Sequence, residues 1–272
     1  MKRILVCYLV LTFGLISSLR ADEAMRAVQE RLKAGGFYSG QLNGQYDSET
    51  TAAITRYQIR NGLQISGKLD TPTRHALGVA AGESEVPLRG FGEDAWRRLR
   101  KTDQEYLNRV AAEDAKPPTP SNSPAGSKRA PAPVVATTPT SPTNTARPVA
   151  NRERLRDYVA AFVLAGLDPQ VGSEAEFFAD RVNYFGEQNV NRERIRKDLQ
   201  RYDNRWPNRG FWLAGELEVT PTNDKLKVSF PLRYELKNGS KHSAGKVLKT
   251  LLLEKSGSDD FVIVSVNEHK IR

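Results

Sequence analysis

Residues 35–58 read GGFYSGQLNGQYDSETTAAITRYQ, with four glycines leading into a short helical pattern. A glycine loop that opens a helix can cradle phosphate, because the helix N-terminus presents free N–H groups and the positive end of its dipole. The neighbouring residues argue against that use. Gly44-Gln-Tyr-Asp-Ser-Glu-Thr-Thr-Ala-Ala-Ile54 recurs 23 residues later as Gly67-Lys-Leu-Asp-Thr-Pro-Thr-Arg-His-Ala-Leu77. Neither copy carries a lysine at the helix start, and no apolar strand precedes them. The glycines read instead as turns, Asp47 and Asp70 as helix caps, and the Ala and Ile/Leu positions as inward-facing.

Other reactive side chains are sparse. His75, His242 and His269 are isolated and show no zinc-ligand spacing. The single cysteine, Cys7, lies in an apolar N-terminal run, so a chain cleaved after that run has no thiol chemistry. Asp157, Glu176, Asp180 and Asp198 are candidates for acid–base work, but each has basic neighbours that make a solvated ion pair the plainer reading. No nucleophile–base pair, metal set or cofactor motif stands out.

Lys2 and Arg3 precede an apolar run over 4–19, followed by Arg20-Ala21 and the acidic Asp22-Glu23. This is the pattern of a secretory signal covering 1–21, with an uncleaved N-terminal membrane anchor as the alternative. The expected location is periplasmic or cell-wall associated. Loss of Lys2, Arg3 and Arg20 lowers the formal charge from +9 to +6. A mildly basic exported chain suits an anionic envelope surface, and no basic run with interleaved aromatics points to nucleic acid.

Residues 117–150 hold nine of the fifteen prolines and no Leu, Ile, Phe, Tyr or Trp. Such a segment is expected to be a disordered tether, with a reach on the order of 100 Å as polyproline. Globular parts are therefore expected over 22–80 and 151–272, with a helical extension over 81–116 in which Trp96, Leu99, Leu107 and Val110 form a partial stripe. The expected fold is a two-domain one: an all-α three-helix bundle, then an α+β cone with a curved antiparallel sheet.

In the first part, Met25, Val28 and Leu32 mark a helix ended by Gly35-Gly36. A second helix starts at Asp47/Ser48, packs Ala53, Ile54 and Tyr57 inward and closes at Asn61-Gly62. A third opens at Thr71-Pro72 and stops at Gly78. The helix Val28–Leu32, Gly36-Phe37-Tyr38, Asn43-Gly44, Asp47-x-x-Thr50, Tyr57-Gln58, Gly62-Leu63 and Asp70-x-x-Thr73 together resemble a peptidoglycan-binding domain of the three-helix repeat type. Gly35 departs from that pattern, which commonly has leucine there. The resemblance implies non-catalytic attachment to the cell wall. Tyr38, Gln41, Asn43, Gln58 and Arg60, polar or aromatic and near the turns, are the candidate contacts for glycan or peptide.

In the second part, Leu155, Tyr158/Val159 and Phe162/Val163 form a helical stripe. A short helix near 174–179, a strand over 181–185 and an Asn191-capped helix follow. Strands are expected over 211–220, 225–237, 246–255 and 261–268. This order, with FFADRVNYFGEQNVNRERIRKDLQRYDNRWP, resembles the nuclear-transport-factor-two or SnoaL-like cone fold. That resemblance implies a cone able to hold a small ligand, with Tyr184, Tyr202, Trp206 and Trp212 as candidate lining, or plain core aromatics.

With what these resemblances imply, the expectation is an exported envelope protein that would bind peptidoglycan through its N-terminal module. The cone would hold a small ligand or a protein partner. The alternatives are a wall-localised enzyme with its active site in the cone, and a homodimer formed through the C-terminal domain.

Overall fold

The computed structural model describes residues 23–79, 94–101, 103–116, 146–168, 170, 172–257 and 260–272. The expected signal segment, residues 80–93 of the extension and the Pro-rich stretch over 117–145 lie outside them.

The N-terminal bundle consists of α1 (23–34), α2 (Ser48–Arg60) and α3 (Thr71–Leu77). Asp47 and Asp70 cap α2 and α3, accepting the Thr50 and Thr73 N–H groups at 2.8 and 2.9 Å. Gly62, at φ +62°, lets the chain turn so that the Leu63 N–H reaches the Gln58 carbonyl, 2.9 Å away. Met25, Val28, Leu32, Tyr38, Tyr46, Ala53, Ile54 and Leu77 form its small core.

The 23-residue repeat has a common support that lies outside the repeated stretch. The buried Gln29 amide donates to Asn43 Oδ1, the Gln45 carbonyl and Thr50 Oγ1, and its Oε1 accepts the Gly44 N–H. In the second copy buried Gln58 donates to Ser66 Oγ, the Lys68 carbonyl and Thr73 Oγ1, and its Oε1 accepts the Ser66 and Gly67 N–H groups. Each loop therefore wraps one glutamine side chain projected from the preceding helix. Gly44 and Gly67 sit at φ +73° and +64°, where other residues would be strained.

The extension forms two short helices, α4 (Ala95–Arg100) and α5 (Gln104–Asp114), and then α6 (Ala146–Ala165) begins. α6 starts five residues earlier than the expected domain boundary, with Pro148 in its first turn, where the missing N–H leaves no helical bond unmade. After the 3₁₀ turn Ser173–Phe177 come β1 (Phe178–Tyr184), β2 (Glu187–Asn191) and α7 (Arg192–Arg205), capped by Asn191. β3 (Asn208–Leu213), β4 (Glu218–Thr222), β5 (Lys225–Asn238), β6 (Lys241–Ser256) and β7 (Asp260–Ile271) complete the chain. The sheet order is β2-β1-β7-β6-β5-β3, with β4 also on β5; only β1 and β7 run parallel. Register shifts in β1 and between Leu252 and Leu253 are the irregularities by which such strands bend. The expected bundle followed by an α+β cone is the observed architecture. The expected strand over 211–220 is two strands, and β2 was not foreseen.

The two parts are not held apart. α6 is buried from Glu153 to Ala165 on every side. One side faces the sheet, where Tyr158 and Phe162 pack against Phe177, Phe178 and Phe261. The other is covered by α2, α4 and α5. Ala52, Ile59 and Ile65 of the bundle, and Trp96 and Leu99 of α4, belong to the same apolar cluster as the cone. The Ile65 N–H also donates to the Phe211 carbonyl at 2.8 Å, so a bundle loop pairs with the edge of β3.

Charges complete this contact. Arg56, 3% exposed, donates through Nε to Asp157 at 3.0 Å and through a terminal nitrogen to Asp103 at 3.3 Å. The Tyr106 ring lies 4.3 Å from its guanidinium. Arg60 reaches Glu153 at 2.5 Å, and Glu153 also accepts from Arg156 and the Tyr106 hydroxyl. Asp157, expected to be a solvated ion pair or a cone acid, is thus a buried partner of the bundle. The helices on either side of the stretch 117–145, α5 and α6, pack on each other, and the expected linker itself lies outside the described residues.

The glutamine clamps give a direct test of the repeat's mechanics. Gln58→Ala leaves two backbone N–H groups and the Lys68 carbonyl without their partner and is expected to cost roughly 2–4 kcal/mol in chemical unfolding. Gln29→Ala is expected to cost a similar amount. An effect within 0.5 kcal/mol, roughly that of an ordinary surface change, would contradict the clamp.

Candidate functional site

A groove of about 1000 Å³ lies between the first bundle loop and the α4–α5 hairpin. Lys33, Tyr38, Gln41 and Asn43 line one wall, and Arg97, Arg98 and Lys101 the other. The loop is pinned from behind. Arg109 of α5 donates to the Gly36 and Tyr38 carbonyls, the latter at 2.8 Å, and Lys33 Nζ donates to the Gly40 carbonyl at 3.0 Å. A Cβ on Gly40 would lie 2.6 Å from Glu49 Oε1 and 2.7 Å from the Tyr38 ring, so the close approach of loop and helix requires glycine.

Three of the five expected wall contacts meet in this groove. Tyr38 is buried, with its hydroxyl donating to the Gln41 carbonyl at 2.7 Å, while the Gln41 and Asn43 side chains are exposed. Gln58 is fully buried in the second clamp and offers nothing to a ligand. Arg60 points to Glu153 in the contact with α6. The basic residues of α4 were missed, because a charged stripe on a short helix reads as solvated face. Glu49 forms an ion pair with Arg98 across the groove at 3.5 Å. Burial, joined by Asp103, Asp47 and Glu105, raises the Glu49 carboxyl above its ordinary value against the pull of Arg98.

The four expected cone residues divide. Tyr184 and Tyr202 share a cluster with Asp198, Glu174, Glu268 and Arg209. The Tyr184 hydroxyl donates to Asp198 at 3.2 Å, and the Tyr202 ring lies 5.6 Å from the Arg209 guanidinium. Trp206 sits at the end of α7 beneath Arg205. Trp212 alternates with the inward-facing Phe211 and Leu213, and so stands on the other face of the sheet, 4.0 Å from Arg233 and beside a shallow cavity of about 450 Å³. Among the other candidate acids, Glu176 pairs with Arg97 and Asp180 is almost wholly exposed.

Glu174 is the titratable group that sequence reading passed over; its one signal was an acid three residues before Phe177-Phe178. Burial above all, with Asp203 adding, raises its carboxyl from 4.5 to about 7, opposed by its own backbone N–H, Arg209 and Lys249. Arg209 pairs with Asp203 and donates to the Gly166 carbonyl at 2.7 Å, and its Nε is buried without a partner. A carboxyl poised near neutrality can take or give a proton. No group of acids, histidines or cysteines among the described residues is arranged to hold a metal ion.

The shift has a sign that unfolding can read. Between pH 4.5 and 7 folded Glu174 keeps a proton that the unfolded chain has lost, so stability falls as pH rises through that window. Relative to Glu174→Gln, the wild type is expected to lose on the order of 2–3 kcal/mol between pH 4.5 and 7.5. A pH-independent difference between the two would contradict it.

Comparison with known proteins adds names to these two parts. No curated protein matches the chain. Solved structures match its C-terminal region. One, from Catenulispora acidiphila, has 12% identity and a TM-score of 0.39, over 46% of this chain and 94% of that one. An NTF2-like protein with a cystatin-like fold from Novosphingobium aromaticivorans has 14% identity and a TM-score of 0.37, over 46% and 84%. An NTF2-like superfamily protein from Salmonella enterica has 9% identity and a TM-score of 0.35, over 40% and 84%. The bundle, with its two clamped loops, is the part that a family claims: residues 21–77 match the family model described as "Putative peptidoglycan binding domain".

Proposed function

We propose that this chain is an exported envelope protein that holds on to peptidoglycan through its N-terminal bundle and keeps a cone domain docked against that bundle at the wall. The observation that carries the reading is the coincidence of the family match over 21–77 with an open polar groove at the first clamped loop. Attachment needs no chemistry: a preformed groove with exposed amide and charged groups offers hydrogen bonds to a polar polymer at little ordering cost. Export is supported by the N-terminal pattern over 1–21. No helix of the described residues is long and apolar enough to cross a membrane. The cone's role is to bind a small ligand or a protein at the wall.

A second reading, proton transfer in the cone, is favoured by Glu174, poised near neutrality and within electrostatic reach of the Tyr184 hydroxyl. It requires a substrate that reaches these groups, and neutralising the carboxyl in Glu174→Gln would abolish turnover without abolishing wall attachment.

The first reading is tested by co-sedimentation of the full chain with purified peptidoglycan. The chain is expected in the pellet, and Gln41→Ala is expected to weaken binding several-fold with an unchanged melting temperature, in keeping with loss of one exposed hydrogen-bonding group. A chain that stays in the supernatant overturns the reading.

A further inference from the structure

The groove has one wall that the family match does not include. Residues 21–77 supply Lys33, Tyr38, Gln41, Asn43 and Glu49, whereas Arg97 and Arg98 come from α4 and Lys101 from its C-cap, beyond the matched segment. α4 is held there by the cone. Trp96 and Leu99 are buried in the shared core, and Trp96 Nε1 donates to Asp168 at 2.7 Å. Arg100 pairs with Asp260 at 3.1 Å. With one face of the helix thus fixed, Arg97, Arg98 and Lys101 are presented to the loop at helical spacing, without being free to turn away.

The charges of the groove are unevenly committed. Arg97 is engaged by Asp94 at 2.7 Å and by Glu176 at 3.4 Å. Among the described residues Arg98 pairs with Glu49 alone, at 3.5 Å, with 40% of its side chain exposed. Lys101 is exposed and has no partner among the described residues, and Lys33 is bound to a carbonyl oxygen alone. Three cations are therefore available to an anion, while Glu49 and Glu105 on the same groove can receive an ammonium.

A neutral glycan of N-acetylated sugars has no use for this pattern. The short peptides carried by such a glycan do, since they bear carboxylates and a free amine on a flexible backbone. We infer that α4 completes the bundle's groove as a receptor for the peptide part of the wall polymer, with Arg98 and Lys101 taking a peptide carboxylate and Glu49 its ammonium. This rests on the wall-binding reading above. It makes the docked cone a part of the binding site, because Trp96 and Arg100 fix α4 opposite the loop through Asp168 and Asp260 of the cone.

The test uses the full chain pelleted with intact sacculi, alone or in competition with either soluble product that an amidase releases from them, the free peptides or the peptide-free glycan strands. The wild type is expected to pellet with sacculi alone and to be displaced by the peptides at about tenfold lower concentration than by the glycan strands. Arg98→Glu/Lys101→Glu is expected to lose about tenfold on intact sacculi, since each reversed charge at a solvent-accessible site changes binding by a modest factor. Lys101→Ser, a milder change, is expected to lose less in the same direction and to keep the wild-type melting temperature, separating lost binding from lost folding. Equal displacement by the two products, or unchanged binding by Lys101→Ser and the charge-reversed chain, overturns the inference while leaving wall attachment standing. A wild type that stays in the supernatant overturns both.

Discussion

A guanidinium buried between two carboxylates on two different parts of the chain is the constraint around which this protein is arranged. Arg56 projects from the bundle, Asp157 from the central helix of the cone, and Asp103 from the cap of α5 that lies between them. Removing such charges from water costs several kcal/mol apiece, and the cost is offset only while all partners are in place and well aligned. Burial pushes the Asp157 carboxyl above its ordinary value, and Arg56 pulls it back. The interaction therefore adds little to stability that an apolar contact would not, but it penalises any arrangement in which the bundle is rotated or released. Apolar contact of Ala52, Ile59 and Ile65 with the cone supplies the attraction, and the charges select the orientation.

The two helices that border the Pro-rich stretch, α5 and α6, are packed together and share the Tyr106–Glu153 contact. The bundle packs on one side of α6 and the sheet on the other, and the polar cluster around Glu174 shares no residue with the groove at the first bundle loop.

The local features were legible because their causes are local. A cap, a left-handed glycine and a hydrophobic staple each need a few adjacent residues, and Asp47, Asp70, Gly62 and Gly78 behave as their types and positions require. The heptad-like stripe of α6 and the alternation in β5 were equally plain. What the sequence hid depends on single residues far apart. Arg56 and Asp157 are ordinary charges on helix faces until they meet across 101 positions. Gln29 and Gln58 break the 23-residue repeat because they hang from different helices, so self-comparison passes over them. β2 escaped because its turn uses Phe185 at φ +49°, a conformation that a bulky residue rarely advertises. Of the wall-contact candidates, Tyr38, Gln41 and Asn43 were placed by their nearness to a turn, a rule that could not tell them from Gln58, which serves the next turn from inside.

The central claim is that bundle and cone are one docked unit locked by Arg56. The most direct measurement is a double-mutant cycle on Arg56→Met and Asp157→Leu, with each of the four chains unfolded in denaturant. Each single change leaves a buried charge without its partner and is expected to cost about 3–5 kcal/mol, whereas the double change leaves no such orphan between the pair. The expected coupling is therefore about 2 kcal/mol or more. Additive effects within roughly 0.5 kcal/mol, the behaviour of residues that do not meet, would show that the two parts stand apart and would contradict the account.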